Sequence, residues 1–146
     1  MSLSLLTGKT VLTLASAKKI AEAAEQHASS KSWSIVVAVV DDGGNLLCLQ
    51  RMDGAPIGSV QVSQDKARTS VIFKAPTKVF ESALASGLSS LLKLEILPFD
   101  GGVPITVNGA IVGAIGVSGC AESAQDEEIA QAGAVWLFRA LAAEQR

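Results

Sequence analysis

Arg51, Met52, Asp53 and Gly54 stand together in the chain, a cation and an anion around a thioether, just ahead of a turn-forming glycine. At the end of a strand, Arg51 and Asp53 could hold the carboxylate of a ligand and orient each other. The plainer alternative is a surface ion pair beside a glycine turn. Lys66 and Arg68 offer two further cations. Lys66 precedes Ala67, which belongs to an apolar helix face, so partial burial is expected, with Asp53 or Asp100 as partner. A solvated helix face is the simpler reading and the preferred one. His27 is the only histidine. It sits at the margin of an apolar stripe, where an imidazole can ligate a metal or a haem iron, although a lone histidine is more commonly a surface or capping group. A Ser/His/Asp or Cys/His catalytic set would have to use this same residue, and no nucleophile elbow accompanies it.

Metal-binding patterns are sparse. There is no HExxH, no paired CxxC and no second histidine, so no dedicated zinc site is expected. Asp41-Asp42-Gly43-Gly44-Asn45 lacks the later bidentate glutamate of a calcium loop and reads as a hairpin turn. Glu22 and Glu25 lie three apart on one helix turn, which suits weak surface binding of a divalent or ferric ion but fits an ordinary polar helix face better. Cys48 and Cys120 form no disulfide framework. Both read as inert, with Cys120 nearer a helix start.

Two glycine-rich stretches are the most informative. Gly101 and Gly102 precede Pro104, and Gly116-Val117-Ser118-Gly119 leads into the last helix. Neither is a dinucleotide or Walker fingerprint. A glycine turn running into a helix start presents backbone N–H groups to an anion. A purely structural hairpin explains the same residues, and Asp126, Glu127 and Glu128 already complement the helix dipole.

These residues need elements to position them. The 146 residues, 49% hydrophobic and 18% charged, suit one domain spanning residues 1–146, with an aliphatic core because aromatics make up 4%. A net charge of −2 argues against nucleic acid as a partner. The longest apolar run, Ile35–Val40, is far short of the about 20 residues that span a bilayer. The start MSLSLLTGKTVLTLA has no charged leader segment, and a cytoplasmic location is expected.

Thr13 is a helix cap, and Leu14, Ala17, Ala21, Ala24 and Ala28 form a narrow small-residue face. Ile35–Val40 and Leu46–Arg51 flank DDGGN as a hairpin, and Val103–Val107 and Ala110–Val117 flank the type I′ signal Asn108–Gly109. A helix starts at Ser59 with Val60, Ser63, Ala67, Ser70 and Val71 on one face; a shorter one runs from Pro76 to about Ala85 with Gly87 as its stop. Ser89–Leu97 fits either a helical turn or an edge strand. Glycines 113 and 116 mark a close approach by another backbone or a ligand. The last helix, from near Ser123 to about Ala143, is apolar nearly all round, with Val135 and Phe138 opposite the Ile129, Gly133, Trp136 and Ala140 stripe. Such a helix packs on its own sheet and on a second copy, so a homo-oligomer is expected. The two hairpins make one antiparallel sheet covered by helices: α+β in class.

VVDDGGNLLCLQRMDGA, SQDKARTS, FDGGVPI, NGAIVGAIGVSG and QDEEIAQAG occur in this order from Val39 to Gly133. In combination they resemble the GlcG/HbpS-like family, which also supplies the carboxy-terminal domain of PduO-type corrinoid adenosyltransferases. The resemblance implies a profilin-like domain, an antiparallel sheet flanked by helices, assembling into dimers or higher oligomers such as octamers. It implies haem binding, or a related tetrapyrrole such as a corrinoid, and for some members haem degradation. The matching residues are Arg51, Met52, Asp53, Lys66, Gly101, Gly102, Pro104, Gly116, Ser118, Gly119 and Asp126. Arg51 and Lys66 would meet ligand carboxylates. His27 is the candidate axial ligand, with Met52 and Cys48 behind it. Two other readings stay open: an enzyme that degrades haem or acts on a small acid or aldehyde, and a non-catalytic accessory protein of a diol, glycerol or glycolate utilisation system.

Overall fold

The hydroxyl of Thr13 accepts the Ser16 amide at 3.1 Å and so caps α1 (Leu14–Ser30). In the computed structural model, which describes residues 5–145, Ala17, Ile20, Ala21, Ala24 and Ala28 line the buried face of α1. Leu14 was expected in that stripe but is half exposed, and Ile20 fills the core instead. The first four residues of the amino-terminal segment lie outside the described residues.

β1 (Val36–Asp41) and β2 (Leu46–Arg51) form the first hairpin, and β3 (Gly102–Val107) and β4 (Ala110–Ser118) the second. Asn108 and Gly109 both take positive φ, 50° and 78°, the geometry a type I′ turn requires. β1 and β4 pair antiparallel, giving one four-stranded sheet in the order β2-β1-β4-β3. β1 is buried on both faces, as its unbroken valine run predicts. Val37 and Val39 enter the core below α1, while Val40 joins Ala67, Val71 and Ala114 on the other side. Ile105 pairs with Gly113 and Thr106 with Ile111, leaving Val112 as an extra residue in β4. This bulge resets the alternation, so that Ile115 and Val117 face α1 and Ala114 faces the opposite layer.

α2 (Ser59–Ile72) covers that opposite face. α4 (Ser123–Glu144) lies beside α1 on the first face, so the sheet is flanked by helices on both sides. α+β is therefore the observed class. The sheet and α2 approach closely at Gly116, where a Cβ would collide with the backbone of Ser63 and Ala67. The close approach read from this glycine is made by backbone. Gly133 plays a similar part between α4 and α1, where a Cβ would lie 3.0 Å from the Ile20 carbonyl. α3 (Lys78–Ala85) ends in a Schellman arrangement, with Gly87 N–H donating to Leu84 O and Leu88 N–H to Ala83 O. Ser89–Lys93 is a short 3-10 helix, which settles the ambiguous stretch against an edge strand. No helix among the described residues is long and apolar enough to cross a membrane.

Candidate ligand site at one end of the sheet

Antiparallel pairing carries the carboxy ends of β2 and β4 and the amino ends of β1 and β3 to one end of the sheet. Val36 pairs with Arg51 on one side and Ser118 on the other, and Gly102 pairs with Gly116 two residues inward. The singled-out residues therefore converge although 75 positions separate Arg51 from Asp126. α1 ends here with His27, and α4 begins here with Asp126.

Residues directly opposite each other across strands share a face. Arg51, Val36 and Ser118 therefore all face the α2 layer. The Ser118 hydroxyl donates to the Ser59 hydroxyl at 3.1 Å, in the first residue of α2, and both serines are buried. α2 starts at Gly58 without a side-chain cap. Arg51 is exposed and makes no ion pair among the described residues, so the surface ion pair with Asp53 does not form. Asp53 is exposed, and Met52 leans on the core of the α1 and α4 layer, on the other face from Arg51. Pro104 is half-buried in the edge strand β3.

Lys66 corrects the preferred reading of a solvated face. It is 3% exposed; its Nζ donates to Val117 O at 2.9 Å and to Asp126 Oδ2 at 3.1 Å. Its partner is neither Asp53 nor Asp100 but a carboxylate sixty residues away. Asp126 is equally buried, and its other oxygen accepts the Cys120 N–H at 3.0 Å. The acidic start of α4 is thus a set of three separate pairings: Asp126 with Lys66, Glu127 with Lys78 at 3.0 Å, and Glu128 with His27 at 2.8 Å. A signal for Asp126 was present in the sequence. It stands three and seven positions before Ile129 and Gly133, in phase with the buried stripe of α4.

Gly101, at φ +125°, threads between these groups: a Cβ there would lie 2.9 Å from Lys66 Nζ and 3.1 Å from Asp126 Cβ. Gly102 is pinned by Thr77, whose hydroxyl accepts the Gly102 N–H at 2.8 Å while the Thr77 N–H donates to Gly102 O at 2.9 Å. Gly119 is half-buried at the exit of β4. Glu81, Ser123 and Asp100 complete this corner and were not singled out from the sequence. The Asp100 N–H donates to Glu81 Oε2 at 2.7 Å, and the Ser123 hydroxyl donates to the same carboxylate. Burial and the adjoining Glu81 carboxylate raise the Asp100 pKa to about 6, while Glu81, fed by these donors, is held below its usual range.

The thiols are poor nucleophiles. Burial, then the charge of Asp126, pushes Cys120 up to about 12, and burial also raises Cys48. His27 is on the α1 and α4 layer, 31% exposed, with Nε2 on Glu128. Among the described residues, no cluster of three or more His, Cys, Asp or Glu side chains could hold a metal ion.

The geometry suits a haem in one respect and not in another. The donor chemistry fits: a partly exposed imidazole oriented by a carboxylate is a competent iron ligand. Cavities of about 240, 180, 160 and 140 Å³ lie on the chain. Each is smaller than the about 300 Å³ at the low end of small-molecule sites. His27 and Arg51 also lie on opposite layers. None of these four cavities is lined by His27 or Arg51, which stand at the surface among the described residues.

Residues 12–135 match the family model described as haem degrading protein HbpS-like. Protein GlcG of Escherichia coli strain K12 is 39% identical over 111 residues, 75% of this chain and 83% of that protein. An HbpS double mutant from Streptomyces reticuli superposes with a TM-score of 0.84 at 39% identity, covering 94% of both chains. A PduOC–haem complex superposes with a TM-score of 0.77 at 27% identity, covering 86% of this chain and 94% of that one.

Proposed function

Since this chain belongs to the HbpS-like family, we propose that it is a cytoplasmic homo-oligomer that binds haem or a related tetrapyrrole at the strand-end face. The observation that carries this reading is the convergence of His27, Arg51, Ser118 and the Gly101–Gly102 turn on one end of the sheet in a chain whose structural relatives include a haem complex. Haem, when bound, supplies a redox-active iron and an apolar ring bearing two carboxylates. His27 would hold the iron, with the Glu128 carboxylate on its ring setting the orientation of the imidazole. Arg51, exposed on the α2 side of the sheet end, would receive a carboxylate. Lys66 and Asp126 position rather than contact the ligand: their buried pair fixes the Gly101 turn and the start of α4. Met52, Asp53, Pro104 and Gly119 would shape the remaining surface, with the buried Gly102 and Ser118 supporting it from beneath.

Because His27 and Arg51 lie on opposite layers and none of the four cavities described above reaches the volume, the ligand is enclosed between copies. The exposed side of α4, where Phe138 is 71% exposed, supports such assembly. A corrinoid shares the tetrapyrrole-like plane and peripheral polar groups, and competes for the same face. Native mass spectrometry of the protein purified without added cofactor tests the reading. A retained tetrapyrrole mass on an oligomer is expected; a ligand-free monomer that takes up neither haemin nor a corrinoid overturns it.

A further inference from the structure

Asp65, Arg68 and Thr69 on α2, with Glu95, Ile96 and Leu97 on the segment before β3, line a cavity of about 240 Å³. It is separate from the strand-end face: the stem of Arg68 runs beside Gly44, in the turn at the other end of the sheet, where a glycine Cβ would be 3.2 Å away. Its walls are fixed to each other. The Thr69 hydroxyl donates to Asp65 O at 2.7 Å and accepts the Leu97 N–H at 2.9 Å, which ties the 95–97 segment to α2. Gln61 donates to Asp65 Oδ1 at 2.9 Å and holds that carboxylate in place.

The charges in this cavity are complementary but unjoined. Arg68 has no carboxylate within 4.0 Å among the described residues, although Asp65, three positions earlier on the same helix, and Glu95 line the same space. A guanidinium and two carboxylates around one cavity leave a gap that a molecule carrying both charges would bridge. The lining carries one more negative than positive charge, which favours a ligand with an ammonium group. Ile96 and Leu97 add an apolar wall. The volume equals about eight waters at roughly 30 Å³ each, the scale of a small amino acid.

We propose that this cavity binds a small α-amino-acid zwitterion, with its carboxylate on Arg68, its ammonium between Asp65 and Glu95, and a short aliphatic side chain against Ile96 and Leu97. A guanidinium suits the carboxylate because it offers paired donors in a fork.

The test is calorimetric titration of the full chain with alanine, valine and leucine, alongside their carboxamides and N-acetyl derivatives. Saturable binding of the free amino acids is expected. Loss of either ligand charge, or Arg68→Met or Glu95→Gln in the protein, should weaken it about ten- to a hundredfold, the range for removing one charged hydrogen-bond partner. Circular dichroism of both variants should match the parent, since each residue is exposed. Equal binding by the blocked derivatives, unchanged affinity in Arg68→Met, or no saturable binding up to about 10 mM would overturn the proposal.

Discussion

Replacing Lys66 by methionine keeps the length of the side chain and removes one charge from a pair that is 3% and 5% exposed. Asp126 would be left with the Cys120 N–H and no cation, and the Val117 carbonyl would lose its Nζ donor. Breaking a buried pair in this way costs about 3–5 kcal/mol, because an uncompensated charge remains inside the protein. For a chain of this size each kcal/mol lowers Tm by roughly 2–4 °C, so a fall of about 6–20 °C is expected. Urea unfolding followed by circular dichroism gives the free energy directly, with an unchanged slope showing that both states keep their compactness. Adding Asp126→Asn to Lys66→Met removes the stranded charge while keeping an acceptor for Cys120, and should recover a large part of the loss. Lys19→Met is the control. Its ion pair with Glu22 is exposed on both sides, and its deletion should cost less than about 1 kcal/mol. If Lys66→Met costs no more than Lys19→Met, or if the double variant is less stable than Lys66→Met alone, the pair does not brace the strand-end face.

Two further perturbations probe the same corner. The raised Asp100 pKa, about 6 against an ordinary 3.8, means that the folded chain holds this proton more tightly than the unfolded one, so the associated stability is present below about pH 4 and is lost as pH rises through about 6. Glu81 contributes oppositely, losing its share as pH falls through its lowered value; Glu127 adds to the rise at Asp100 and Lys78 opposes it, while Lys66 helps to hold Glu81 down. Asp100→Asn keeps a neutral partner for Glu81 at every pH, so it should be more stable than the parent at pH 8 and lose that advantage towards pH 5; parallel melting profiles would show that the two carboxyls do not interact. Gly116→Ala should cost about 1–3 kcal/mol or more, since the added methyl meets the backbone of α2, and a variant as stable as the parent in urea would place α2 further from the sheet.

The hairpins were legible because their turns carry their own chemistry. Asn108–Gly109 and Asp41–Asn45 specify reversal locally, and the valine run of β1 specifies burial on both faces. Thr13 is local in the same way. Lys66 was not legible, because nothing within a turn of it neutralises the charge; its counterion arrives only when α4 folds over the sheet end. Asp126, Glu127 and Glu128 look alike in sequence, and a dipole argument treats them alike. Their separate fates follow from helical phase, which buries Asp126 and leaves Glu128 to meet His27 at the surface. Gly116 was read as a close approach by another backbone or a ligand, and the structure gives the backbone of α2 in that place. Leu14, the first residue of α1, is half exposed, and Leu12 just ahead of the helix takes the core place.

The most direct measurement of the central proposal is a haemin titration of the parent and His27→Ala in parallel, followed at the Soret band. The parent should saturate at a fixed ratio of haemin to subunit with a shifted band, and His27→Ala should lose the shift while keeping the parent's fold and assembly. Superimposable, non-saturating titrations for the two proteins would contradict the account.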